Sequence, residues 1–161
     1  MDQEDLKAVL AYDPDTGVFT WVARPGRRCV IGAPVGSPTA AGYLRVRVNN
    51  KLHYLHRLAW LYVTGVWPKN HIDHINGDVA DNRFVNLRDV DRFTNLQNER
   101  KARKHNVTGL LGAHFRRDTG KFAARIRVDG ACLILGQFTT AEEAHHAYIA
   151  AKRQYHKGNT L

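Results

Sequence analysis

The chain has 161 residues, with 24 Lys+Arg against 15 Asp+Glu and a formal net charge of +9. That length holds one ordinary domain or two small modules, and 43% hydrophobic residues with three Trp, six Tyr and six Phe exclude wholesale disorder. No apolar run approaches the roughly 18 residues of a membrane span, and the start Met1-Asp2-Gln3-Glu4-Asp5 is acidic where a secretory signal is basic. The two cysteines, Cys29 and Cys132, are far apart and form neither a disulfide framework nor a Cys-x-x-Cys zinc pair. A reducing, cytoplasmic setting, no membrane partner and no structural zinc are expected.

Residues 4–12 carry Leu6, Val9 and Leu10 at helical spacing, which predicts a short helix. Asp13-Pro14-Asp15-Thr16-Gly17 is a turn, and Val18–Val22 reads as a strand. Residues 24–42, rich in Gly, Pro and Ala, are expected to be loop. Tyr43–Val48 alternates apolar with basic residues, as a half-buried strand does. Asn49-Asn50 turns the chain, Leu52–Leu55 pairs back, and His56–Val63 forms a helix ending at Gly65. His71–Ile75 is a short strand, Asn76 to Asn82 a polar loop, and Asn86–Val90 the returning strand. Asp91 then caps a helix from Arg92 towards Lys104. After residue 107 come three strands, Gly112–Arg117, Lys121–Val128 and Ala131–Phe138, with Asp129-Gly130 as a hairpin turn. Thr140 caps a last helix, Ala141 to about Tyr155.

The charge is uneven. Residues 1–100 hold 13 Lys+Arg and 11 Asp+Glu, leaving +2, whereas 101–161 hold 11 and 4, leaving +7. The excess begins at Arg100-Lys101-Ala102-Arg103-Lys104-His105. That run is either a solvated linker or an arm laid along phosphates. A basic excess of this kind points to a polyanionic partner.

One set of polar residues is ordered in a specific way. His56-Arg57-Leu58 is followed by Ile72-Asp73-His74-Ile75-Asn76-Gly77, then Asn82-Arg83-Phe84-Val85-Asn86-Leu87-Arg88, then Asn95. This text resembles the HNH nuclease family, in its phage and intron-associated homing endonuclease branch, over at least residues 43–100. The upstream segment Tyr12 to Trp21 is similar to the lead-in of such phage proteins. The resemblance implies a ββα-metal (His-Me finger) core at about 71–104 and double-stranded DNA as substrate. It also implies four roles. His74 is the general base, since a histidine can take a proton near neutral pH. Asn86 accepts a hydrogen bond from the other His74 nitrogen and fixes its tautomer. Asp73 and Asn95 are oxygen ligands of Mg²⁺ or Mn²⁺, a sparse set that suits an ion keeping waters and substrate phosphate.

His56 stands where this branch also has histidine before Arg-Leu. It either touches the site or a phosphate, or is a buried, hydrogen-bonded structural residue. His71 and His74 fall on opposite faces of a strand, so shared ligation is discounted. Asp78 and Asp81 are expected only to solvate their loop.

Residues 106–158 resemble the plant ethylene-response-factor (APETALA-type) DNA-binding domain. The matching text is Gly109–Arg116, Gly120–Arg127, Leu135-Gly136-Gln137-Phe138, and Thr140–Ala144 through Tyr148. Such domains are appendages of phage HNH endonucleases. The resemblance implies a sheet face in the major groove, where the donor–acceptor code is readable. On that face it puts His114, Arg116, Arg125 and Arg127. Beside the resemblance, Arg117 is expected to add a phosphate contact, and Lys101, Arg103 and Lys104 belong to the basic run that is either linker or phosphate arm. This chain has Leu111 where the family has a basic residue and Asp118-Thr119 where it often has tryptophan, so the plant site preference does not transfer.

The expected fold class is therefore α+β in two modules. Residues 1–99 form the nuclease module with its strand-rich lead-in, 100–107 a basic linker, and 108–161 a three-stranded antiparallel sheet on one helix. The expected activity is metal-dependent endonuclease cleavage of duplex DNA, in a phage homing or mobile-element setting. A monomer suffices to nick, and a double-strand break takes a dimer or two cuts. The alternative is a DNA-binding transcriptional regulator with an inactive nuclease site; an RNA-binding protein draws only on charge.

Overall fold

Short strands and helices alternate in an α+β arrangement, seen in a computed structural model that describes residues 1–24, 26–27 and 29–161. The chain divides into two compact units, Met1–Arg92 and Phe93–Leu161.

The first unit opens with α1 (Gln3–Lys7), capped by the Asp2 side chain. The helix expected over 4–12 stops there. β1 (Leu10–Tyr12) pairs antiparallel with β2 (Phe19–Trp21) instead. Strand geometry sends Leu10 and Tyr12 to one face, and both are buried beside Phe19; tertiary burial outweighs a weak local helical period. The intervening turn is as the sequence predicts. Asp13 accepts from the backbone N–H of Asp15 and Thr16 at 2.9 and 3.4 Å, and Gly17 has φ +74°. A Cβ on Gly17 would lie 2.5 Å from the Arg83 nitrogen, so only glycine lets this turn seat against the 82–84 segment.

Residues 24–42 are largely irregular, with one two-residue strand, β3 (Ser37–Pro38); Pro25 and Arg28 in this expected loop lie outside the described residues. β3 joins β4 (Leu44–Val48) and β5 (Lys51–Tyr54) in a three-stranded sheet. Val46 and Val48 are buried while Arg45 and Arg47 are exposed, the predicted alternation. Asn49 and Asn50 both take positive φ, 49° and 61°, the twist a two-residue hairpin loop needs. α2 (Leu55–Thr64) ends at Gly65 in the left-handed region. Leu55, Leu58, Ala59 and Leu61 turn one face of α2 into a core with Leu6, Phe19 and Ile72.

β6 (His71–His74) pairs antiparallel with β7 (Leu87–Val90), setting Asp73 opposite Arg88 and His74 opposite Leu87. Asn86, expected to start the returning strand, closes a 3₁₀ turn over Phe84–Asn86. Its N–H bonds back to Arg83 O at 2.9 Å, while its own carbonyl still accepts from Ile75 N at 2.8 Å.

α3 (Arg92–Gln97) falls, after its first residue, in the second unit. It was expected to reach Lys104 and stops seven residues short. Asn98 and Glu99 bond back only three residues, to Asn95 O and Leu96 O at 3.1 and 3.2 Å, the tightening of a last turn. The C-terminal part of the chain bonds to the segment at and after the end of the helix. Gly158 N donates to the Gln97 side chain at 2.9 Å, Arg100 donates to Thr160 O at 2.9 Å, and the buried Lys152 ammonium donates to Glu99 O.

β8 (Ala113–Arg116), β9 (Lys121–Val128) and β10 (Ala131–Phe138) form an antiparallel sheet in the order β10-β9-β8. α4 (Ala141–Tyr155) starts at Thr140, which forms a reciprocal capping box with Glu143. Ala113, Ala124 and Ala144 are fully buried between sheet and helix, and small side chains there let the helix lie close. This is the sheet on one helix that the sequence predicts.

Candidate active site

Two neighbouring strands and the start of a helix bring the candidate residues of the first unit together. β6 ends in Asp73 and His74, both buried. α2 begins at Leu55, which makes His56 its second residue. The His74 and His56 rings meet edge to face, centroids 5.2 Å apart at 85°. Tyr43 lies against both, at 5.9 and 5.4 Å, and Tyr54 stacks on His56 at 5.3 Å and 16°. The aromatic walls restrict how the His74 imidazole can turn.

The amide that reaches His74 is Asn82, not the expected Asn86. His74 Nε2 lies 3.4 Å from Asn82 Oδ1. Both ends of the Asn86 amide serve the loop instead: Oδ1 accepts from Asn76 N at 2.9 Å, and Nδ2 donates to Asp81 O at 2.8 Å. The loop Asn76–Asn86 must fold back on itself, and Asn86 is the side chain that closes it. Asn82 is in turn held by two further hydrogen bonds and by burial. Nδ2 donates to Ala80 O at 3.2 Å, the carbonyl accepts from Tyr12 Oη at 2.6 Å, and the residue is 1% exposed.

The hydrogen bond from Nδ2 to a carbonyl fixes which end of the Asn82 amide faces the histidine. Oδ1 only accepts, so Nε2 of His74 carries the proton. In the neutral ring the lone pair is then on Nδ1, and that nitrogen is the one able to take a proton. Burial pushes the His74 imidazole below its ordinary range, opposed by the Asn82 hydrogen bond and the carboxylates of Asp73, Asp81 and Asp78. His56 is pushed further, to about 3, by burial and by the neighbouring His74 and Arg57. Both rings are thus neutral near pH 7.

Asp73 Oδ2 receives two hydrogen bonds from Arg88, Nε at 2.8 Å and the terminal nitrogen at 2.7 Å. The strand register imposes this pair, since Arg88 faces Asp73 across β6 and β7. A carboxylate oxygen and the amide oxygen of Asn95 are the hard donors that Mg²⁺ accepts, so the chemistry of the two residues fits the ion. Asn95 sits half-buried on α3, in the second unit. Among the described residues no group of three or more His, Cys, Asp or Glu is placed to hold a metal. His71 is exposed and His74 buried on β6, the opposed faces their spacing predicts. Asp81 does more than solvate its loop: it pairs with Arg83 at 2.6 Å and accepts from Asn76 at 2.7 Å.

In the second unit the register puts His114 opposite Ala123 and Arg116 opposite Lys121. His114, Arg116, Arg125 and Arg127 therefore share the sheet face away from α4. Arg116 is braced by Asp118, at 3.1 Å from Nε. Arg117 opens the turn between β8 and β9 and is exposed; Lys101, Arg103 and Lys104 are exposed, with Arg103 3.5 Å from Glu99. β8 pairs only with the first half of β9. Beside the second half runs a groove of about 680 Å³ lined by Arg103, His105, His114, Arg125, Arg127 and His156, among others.

Sequence reasoning missed Tyr43, Tyr54 and Arg88 as site neighbours, and it placed Asn82 in the motif without giving it a role. The alternation of the two flanking strands carried Tyr43 and Tyr54, but nothing local says that their rings meet His74. Among the described residues no helix is long and apolar enough to cross a membrane. No curated protein and no solved structure matches the chain. Residues 53–98, which hold His56, Asp73, His74, Asn82, Asn86 and Asn95, match the family model described as HNH endonuclease.

Proposed function

We propose that this chain is a metal-dependent HNH endonuclease that hydrolyses phosphodiester bonds in duplex DNA. The observation that carries the reading is His74: buried, neutral, held by Asn82 through Nε2, adjacent to a carboxylate, and inside the span that matches the family. His74 Nδ1 takes the proton of the attacking water, for which a neutral imidazole is required. Tyr43 and His56 limit its rotation, and Arg88 fixes the orientation of Asp73. By the HNH resemblance, Asp73 and Asn95 are the residues that would hold Mg²⁺ or Mn²⁺. When bound, the ion supplies charge stabilisation at the phosphate and the departing 3′ oxygen. Asn86 acts one step back, by closing the loop that carries Asn82. The products are 5′-phosphate and 3′-hydroxyl ends.

The second unit is the targeting module, in the manner of the ethylene-response-factor resemblance. His114, Arg116, Arg125 and Arg127 read the duplex, and Arg117, Lys101, Arg103 and Lys104 hold phosphates. A phage homing or mobile-element setting follows from the resemblance of residues 43–100 to the phage and intron-associated branch of the HNH nucleases.

The test is nicking of supercoiled DNA carrying the native target in Mg²⁺, wild type against His74→Ala. Wild type should relax the plasmid and the variant should not. Equal background activity in both would leave a DNA-binding regulator with an inactive site. Replacing Arg125 and Arg127 by Ala should weaken specific binding by roughly 1–3 kcal/mol per lost base contact. Neutralising Lys101, Arg103 and Lys104 should flatten the salt dependence without changing site preference. An unchanged slope would return those residues to a solvated linker.

A further inference from the structure

His56 occupies a position that a phenylalanine would fill at lower cost. It is 7% exposed, stacks on Tyr54, and touches Tyr43 and His74 edge-on. Among the described residues its Nδ1 is sealed from solvent with no hydrogen-bond partner. A buried polar atom left unmatched opposes folding, and a native structure rarely keeps one without a use for the group. Packing explains the ring but not its nitrogens.

The orphaned nitrogen identifies the tautomer. A buried N–H without an acceptor is the costlier arrangement, and an under-satisfied lone pair is better tolerated. Nδ1 therefore holds the lone pair and Nε2 the proton. Position keeps the ring neutral as well. His56 is in the first turn of the ten-residue α2, where the helix dipole disfavours a cation and favours an anion. Burial acts in the same direction. α2 also has no side-chain cap: Tyr54 stands at the N-cap and makes no cap hydrogen bond. The first-turn N–H groups of a helix are the usual donors to a phosphate. An uncapped helix start, a neutral donor ring and the candidate base thus converge, with the two imidazoles 5.2 Å apart.

We propose that His56 is a catalytic residue, donating from Nε2–H to a non-bridging oxygen of the phosphate whose attacking water His74 activates. The inference rests on the endonuclease reading and deepens it. It assigns the substrate's phosphate to the start of α2, and it gives His56 the task of meeting negative charge as that charge grows. A neutral donor does this without adding a cation that would repel protonated His74 later in the reaction.

The test uses His56→Phe, which keeps the ring packing, and His56→Gln, whose amide nitrogen approximates Nε2. The readout is single-turnover nicking of supercoiled plasmid DNA in Mg²⁺. A lost donor to developing charge typically costs roughly 10²-fold in rate. His56→Phe should lose at least about tenfold of the rate while its unfolding midpoint holds or rises, and His56→Gln should be clearly faster than His56→Phe. A Phe variant as fast as wild type, or a Gln variant as slow as Phe, overturns the proposal. A second measurement needs neither a variant nor a metal. The imidazole ¹⁵N–¹H signals of wild-type His56 should show the proton on Nε2 and should move downfield when a short DNA duplex is added. A proton on Nδ1, or a signal that DNA leaves in place, overturns the proposal. If wild type fails to nick but this signal responds, the hydrolysis reading falls and the phosphate contact stands.

Discussion

Acid should weaken the first unit in a way that His56 largely sets. In the folded chain His56 is held to about 3 against an ordinary value of 6.5. Below pH 6.5 the unfolded chain takes up a proton that the folded chain refuses. The stability is therefore fully present above pH 6.5 and is lost as pH falls towards 3. One proton of difference is worth about 1.4 kcal/mol per pH unit, so the fall from pH 6.5 to 5 removes about 2 kcal/mol. That is a large part of the margin of a small domain. His74 is shifted the same way by its burial and adds to the slope. The assay is urea unfolding followed by tryptophan fluorescence at several pH values. Trp21, Trp60 and Trp67 all belong to the first unit, so the signal reports on it. His56→Phe should flatten the pH dependence by close to one proton and raise stability at pH 5 relative to wild type. Equal slopes in wild type and variant would mean that His56 is not buried as a neutral ring, and the tautomer argument would go with it.

The remaining predictions are local. Tyr12→Phe removes the hydroxyl that donates to Asn82 O at 2.6 Å and strands a buried carbonyl, at a cost of about 1–3 kcal/mol. Its urea midpoint should drop and its nicking rate should fall with it; a stability loss with an unchanged rate would detach Asn82 from catalysis. Gly112→Ala would set a Cβ 1.9 Å from Tyr148 Cγ at a φ of +78°, so hydrogen exchange across β8 to β10 should accelerate strongly. Unchanged protection there would contradict the close seat of α4 on the sheet.

Much of this chain is legible from local pattern, because the signals involved are local. Asn49-Asn50, Asp13 to Gly17 and Asp129-Gly130 are turns by their own backbone preferences. Thr140 and Glu143 cap α4 by a reciprocal bond within one helical turn. The alternation in β4 and β9 follows from a period of two and one buried face. The His74 neighbourhood is legible in outline for the same reason: a short strand, a polar loop and a returning strand must bring the ends of the loop together.

What spacing leaves open is which side chain of the loop meets which ring. Asn82 and Asn86 are both amides within reach of His74 along the chain. Only the folded loop decides between them, by using both ends of Asn86 for its own closure and turning Asn82 inwards under Tyr12. Past the end of α3, the bonds from Gly158 to the Gln97 side chain and from Arg100 to Thr160 are likewise tertiary and leave no local pattern in the sequence. The strand β1 was also decided by the fold, where burying Leu10 and Tyr12 beside Phe19 outweighed a helical period of three residues. The sequence by itself determined the residue types the chemistry needs and their order, since these depend on composition and local geometry. Tertiary structure alone decided their partners, their protonation and their tautomers, because burial and hydrogen-bond competition exist only once distant segments have come together.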